Sequence, residues 1–148
     1  MAGLRGRAVT AQIATGTSAK TLLQLIAASN HRTLVREVHI SFEGVTATDA
    51  PIQVRILRQS TAGTMSSLTL VKNSDSDDET LQTTALHTAS AEPTAGDVLL
   101  SRFVHPQGGF SLILPPGREF VIKGGGRLGV EVTASVGVDA LVSAEFEE

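Results

Sequence analysis

The stretch Thr33-Leu34-Val35-Arg36-Glu37-Val38-His39-Ile40-Ser41-Phe42-Glu43 decides how this chain is read. Leu34, Arg36, Val38, Ile40 and Phe42 fall on one side of an extended segment, and Thr33, Glu37, His39, Ser41 and Glu43 fall on the other. Successive side chains of a strand point to opposite faces, so this two-residue beat predicts a strand with one buried and one wet side. The beat returns at Ile52-Val54-Ile56, at Leu128-Val130-Val132 and at Val138-Ala140-Val142-Ala144-Phe146. Glycine- and proline-bearing breaks separate the runs.

Working outward, residues 1–6 are small, basic and glycine-bearing and are expected to form a flexible arm, leaving residues 7–148 as a single domain. Residues 7–15 read as the first strand, with Val9, Ala11 and Ile13 inward. Residues 21–28, Thr-Leu-Leu-Gln-Leu-Ile-Ala-Ala, suit either a short helix capped by Ser18 or a strand. About eight residues is short for a stable helix, so strand is favoured. Residues 43–50 are expected to be a loop, and Pro51 opens the strand at 52–58 where a missing N–H is tolerated. A polar excursion at 59–97 holds a short strand at 68–72, an acidic loop at 75–79, a strand-like piece at 80–88 and a surface connection at 89–96. Long polar excursions in a short domain are where binding function concentrates. Strands follow at 98–104, 110–114, 119–122, 127–133 and 138–146, broken by Pro106-Gln107-Gly108-Gly109, Pro115-Pro116-Gly117 and Gly124-Gly125-Gly126. About eight or nine strands without strand–helix alternation predict an all-β antiparallel fold, a sandwich or barrel.

Composition narrows the function. At 148 residues and 15.4 kDa the chain suits one domain, which at this size buries about two-thirds of its extended surface. It has no Trp or Tyr and five Phe, so aliphatic side chains must fill the core. The absence of cysteine removes disulfides, thiolate metal sites and thiol nucleophiles. No apolar h-region follows the first residues and no apolar run approaches the ~18 residues that span a bilayer, so neither a secretory signal nor a membrane partner is expected. A net charge of −3 argues against direct nucleic-acid binding. The charge is uneven: residues 1–72 hold eight Lys or Arg against Glu37, Glu43 and Asp49. That distribution suits either interleaved charges or a polarised subunit that docks its basic side on an acidic partner.

The motifs that suggest chemistry fail on context. Gly124-x-Gly126-x-x-Gly129 matches the dinucleotide-binding spacing, but a strand-like Leu128-Gly129-Val130-Glu131-Val132 follows it where a helix is needed. Asn73-x-Asp75-x-Asp77 resembles the start of a calcium loop, but Asp78 and Thr84 stand where Gly and Glu belong. His31, His39, His87 and His105 have no local ligand spacing, and no Gly-x-Ser-x-Gly elbow exists. No catalytic residue, metal or cofactor is expected.

Several segments together resemble small virion proteins of tailed bacteriophages. They are residues 21–30 running into Val38-His39-Ile40-Ser41-Phe42-Glu43-Gly44, then 51–60, Ala91-Glu92-Pro93-Thr94-Ala95-Gly96-Asp97, His105-Pro106-Gln107-Gly108-Gly109 and Gly126-Arg127-Leu128-Gly129-Val130. The likeness covers about residues 20–148 and consists of turn and strand signatures, not catalytic ones. It implies a head decoration (cement) or minor capsid protein with a jelly-roll-like sandwich, often trimeric, made in the host cytoplasm and carried on the capsid surface. On that reading the partner is the major capsid protein lattice. Leu4, Arg5 and Arg7 of the arm are expected to contact the lattice, and Phe103 and His105 to contact neighbouring subunits. Core packing is the ordinary alternative for Phe103. The rival readings are a receptor- or carbohydrate-binding module of a fibre or tail, which lacks the Trp or Tyr for an aromatic platform, and a cupin-like enzyme, which needs an inward His/Glu cluster.

Overall fold

The computed structural model describes residues 3–43, 49–76 and 78–148. Met1 and Ala2 of the expected arm, residues 44–48 of the expected loop and Asp77 of the acidic loop lie outside the described residues. The described residues contain no helix and form thirteen strands. They are β1 (Arg5–Val9), β2 (Ile13–Ala14), β3 (Lys20–Ile26), β4 (Thr33–Glu43), β5 (Ile52–Gln59), β6 (Thr64–Leu68), β7 (Val71–Lys72), β8 (Thr84–Ala91), β9 (Ala95–Val104), β10 (Phe110–Ile113), β11 (Phe120–Ile122), β12 (Arg127–Thr133) and β13 (Asp139–Glu147). Short pieces make the count larger: β2 continues the β1 ladder on β13, β11 continues the β10 ladder on β4, and β6 and β7 are short strands at the sheet edges.

All pairs are antiparallel and the strands make two sheets. One runs β10-β4-β13-β1-β7, with β11 also on β4 and β2 also on β13; the other runs β6-β8-β3-β12-β5-β9. The core fills the space between them. Val38, Ile40, Ala140, Val142, Ala144 and Phe146 come from the first sheet, and Leu23, Leu25, Val54, Ile56, Leu128, Val130 and Val132 from the second. The alternation expected at 52–56, 128–132 and 138–146 holds as read.

The deciding strand keeps its beat but changes phase. Thr33 and Val35 are buried, and so are Val38 and Ile40. Glu145 pairs with Glu37 and Phe146 with Val35, so Arg36 is the unmatched residue of a β-bulge. An extra residue flips every later side chain relative to the earlier ones. Leu34 and Arg36, expected inward, are therefore not core residues. The first strand also corrects the reading: it opens at Arg5, inside the expected arm, and Ala8 and Thr10 face in while Val9 and Ala11 face out. Gly6 turns inward opposite Phe146, and a Cβ there would meet the Phe146 ring at 2.6 Å. Small residues on β1 thus make room for the ring, and Val9 is left outside. Leu4 continues the ladder through reciprocal backbone bonds with Glu148 of 3.0 and 2.9 Å.

The segment that fitted helix or strand is β3, and its ambiguity has a cause. A bulge places both Leu22 and Leu23 in the core. Thr21 and Gln24 point to the other face and are buried as well. The polar excursion folds over that outer face. Pairing of β8 with β3 ends at His87, Thr88 takes φ 57°, and the chain continues along β6 to Ala91. Thr61 and Thr94 clasp the two crossing segments, with Ser60 N–H donating to the Thr94 carbonyl at 3.0 Å.

Beneath them runs a directed chain of hydrogen bonds. Arg127 Nη1 donates to Gln24 Oε1 (2.8 Å), Gln24 Nε2 to Gln59 Oε1 (2.6 Å), Gln59 Nε2 to Thr21 Oγ1 (2.9 Å), and Thr21 Oγ1 to Glu92 Oε2 (2.7 Å). Gln24 Nε2 also donates to the Thr61 carbonyl, and Thr21 N–H to Glu92. Buried polar groups are tolerated when each finds such a partner. A Cβ on Gly129 would sit 2.4 Å from the Gln59 amide, so this glycine is there for close approach, not for a nucleotide.

Two outcomes follow. Phe146→Ala is expected to cost about 3–5 kcal/mol, measured by urea unfolding, because the ring is fully buried. Glu92→Ala is expected to speed amide exchange at Thr21 by about tenfold or more, the loss of a charge-assisted bond, with global stability falling less than for Phe146→Ala.

Candidate interaction surface

The outer face of the first sheet is an ordered lattice of side chains set by register. One row reads Val71–Arg7–Glu145–Glu37–Ile113 across β7, β1, β13, β4 and β10. The next reads Val9–Ser143–His39–Ser111, and the next pairs Leu141 with Ser41. Val71, Val9 and Leu141 step diagonally from strand to strand, a spacing of about 7–8 Å. All three and Ile113 are exposed. The serines between them leave a shallow groove of about 390 Å³ lined by Val9, His39, Ser41, Ser111, Leu141 and Ser143.

Ion pairs fix the polar members of this face. Arg7 pairs with Glu145, and His39 spans Ser111 (2.9 Å) and Glu37 (3.1 Å). The bulged Arg36 donates Nε to Glu147 (2.7 Å) and Nη1 to Glu119 (2.9 Å). Glu147 also accepts the Gly3 N–H (2.8 Å) and lies 3.6 Å from Arg5. That N–H bond does most to hold the Glu147 carboxyl below its usual range; burial opposes it, and Arg36 and Arg5 reinforce it. Glu148 accepts from Gln82 N–H (2.8 Å), Thr83 N–H (2.7 Å) and Thr83 Oγ1 (2.6 Å). Burial is the largest single influence on Glu148 and pushes it up, but these bonds together outweigh it and its pKa is lowered. His31 Nε2, buried without a hydrogen-bond partner, stands 3.6 Å from the same carboxylate.

The residues singled out from sequence do not converge. Leu4, Arg5 and Arg7 are not on an arm: Arg5 and Arg7 project with Val9 from the outer face of β1. Phe103 lies on β9, the edge of the other sheet, and is 73% exposed, so it is not a core residue. His105 follows β9 and its ring lies 3.4 Å from the Asp49 carboxylate. The two groups occupy opposite edges of the sandwich, because Arg102 of β9 covers the Phe110 ring of β10, at 5.1 Å, on the side away from β1 and β7. Sequence reasoning passed over Leu141 and Val9. The correct phase of 138–146 was enough to expose Leu141, an apolar residue in the wet set beside Asp139 and Glu145. Among the described residues, no three His, Cys, Asp or Glu gather closely enough to hold a metal.

Compared with known proteins, the chain matches no family model, no curated protein and no solved structure.

Both lowered carboxylates give stability that is fully present above their ordinary value of 4.5 and is lost as pH falls through the lower folded values. The urea midpoint is therefore expected to hold from pH 7 to about 5 and to drop below pH 4.5. Glu148→Gln is expected to flatten part of that drop.

Proposed function

We propose that this chain is a structural virion protein, a decoration protein of a tailed-phage head, whose working part is a surface and not a reactive pocket. The observation that carries the reading is strand order. Stripped of the short strands and the β6–β8 excursion, the sheets read β10-β4-β13-β1 and β3-β12-β5-β9. Consecutive strands β3 and β4 lie in different sheets, and the last strand pairs between the first and the fourth. That order is the one expected of an eight-stranded jelly roll, an architecture used by viral capsid and lectin domains. Fold alone does not assign function. The resemblance of residues 20–148 to phage virion proteins and the aliphatic staircase on the outer sheet face add the rest.

On this reading Arg5, Arg7, Val9 and Leu141 of the exposed face meet the major capsid protein lattice, and Leu4 acts through the backbone ladder that holds β1 in place. The β9 edge with Phe103 and His105 meets neighbouring copies in a homotrimer. A subunit that binds the assembled shell and not its free components stabilises the shell by RT ln(1 + [L]/Kd) per site. Many symmetry-related sites, each giving about 1–2 kcal/mol, and avidity from three linked copies resist internal pressure.

Co-sedimentation with filled and empty particles of the source tests the proposal. The chain is expected to pellet with particles, and Leu141→Asp to weaken that binding by about tenfold or more while its thermal transition stays in place. A chain that ignores particles and binds a glycan array overturns this reading in favour of a carbohydrate-binding module.

A further inference from the structure

Four of the nine arginines are neutralised in place. Arg5, Arg7, Arg36 and Arg55 each face a glutamate. Three cations that face no glutamate, Arg58, Lys123 and Arg127, line a cleft of about 670 Å³ between the end of β11 and the β5–β9 pair. Arg58 spends an N–H on the Val121 carbonyl, and Arg127 donates to the neutral Gln24 amide. Lys123 has no ion-pair partner among the described residues. One carboxylate, Asp97, lines the cleft against these three cations. Gly96 and Gly125 keep the walls low, and exposed Val98 and Val121 lie on β9 and β11 beside it. A cationic cleft with an apolar margin suits an acidic polypeptide segment.

The complementary charge sits on the other edge of the same sandwich. The loop after β7 presents Asp75, Asp78 and Glu79, whose carboxylates have no ion-pair partner among the described residues. β7 and β11 flank the first sheet at opposite edges, about four strand spacings or ~19 Å apart. Among the described residues, no ion pair joins the loop and the cleft of one chain.

We propose that the Arg58–Lys123–Arg127 cleft receives Asp75, Asp78 and Glu79 of a second copy of this chain, joining copies head to tail. Such a contact uses different patches on the two partners, and it closes a ring when the rotation returns to the start. This rests on the reading of the chain as a homotrimer. It gives that trimer a polarity, and it places exposed Phe103 on the receiving edge, the one already assigned to subunit contact.

The test is mass in solution by light scattering, with circular dichroism melting to confirm folding. Arg58→Glu with Lys123→Glu, and separately Asp75→Lys with Asp78→Lys, are each expected to weaken association by about a hundredfold, because like charges then meet. All four reversals in one chain are expected to restore the wild-type mass, since the pairing is only inverted. Association of the wild type is expected to weaken in 1 M salt, where screening acts within about 3 Å. A trimer indifferent to every reversal overturns this contact and leaves the trimeric reading standing. A wild type that stays monomeric at all concentrations overturns both. Inorganic phosphate that protects the cleft's amides from exchange without changing the mass, in a trimer insensitive to the loop variant, makes the cleft a small-anion site and overturns the contact.

Discussion

The central strands of the second sheet, β3 and β12, are buried on both faces, and that constraint organises the rest of the molecule. The sheet's inner face packs Leu23, Leu25, Ile56 and Val130 against the first sheet. Its outer face carries Thr21, Gln24, Gln59 and Glu131, all buried. An unpaired polar group in that position costs on the order of 1–3 kcal/mol, so the chain must bring partners to it. The excursion does so. Glu92 and the Thr61 carbonyl complete a relay that begins at Arg127, and Arg55 pairs with Glu131. The segment that looked from its polarity like a binding loop is in large part the cover of its own sheet. Gly129 belongs to the same arrangement, because the Gln59 amide lies where its side chain would be.

Two bulges decide which side chains the first and second sheets offer to solvent. The unmatched Arg36 in β4 reverses the phase of the strand, turns Thr33 and Val35 inward, and frees its own guanidinium to join Glu119 and Glu147. The bulge in β3 lets Leu22 and Leu23 enter the core together and leaves Thr21 and Gln24 for the relay. Bulges re-aim side chains in this way at the cost of one ladder position.

Charge is distributed by edge as well as by face. The β1 arginines and Arg36 are held by Glu145, Glu147 and Glu119, which makes that face nearly neutral. Arg58, Lys123 and Arg127, which have no ion-pair partner among the described residues, sit at the β9–β11 edge, and Asp75, Asp78 and Glu79, likewise without one among them, sit in the loop beyond β7. A face for a lattice and two complementary edges for neighbours are compatible roles for one small sandwich, because they use separate surfaces.

The sequence by itself determined that the chain is an antiparallel all-β fold, and it located most strand centres. The beat at Ile52-Val54-Ile56, Leu128-Val130-Val132 and Val138 to Phe146 needs only local alternation to be read. It also placed the turns at Gly108-Gly109, Gly117 and Gly124 to Gly126, where glycine or proline leaves few other conformations. Tertiary structure alone decided the phase of β1 and β4, because a bulge or an inward glycine is set by the partner strand and not by the residues themselves. It turned residues 3–6 from an arm into a ladder through Leu4, Glu147 and Glu148. It also separated Arg5 and Arg7 from Phe103 and His105, since which strands become neighbours depends on how two sheets share one core, a long-range property that periodicity does not encode.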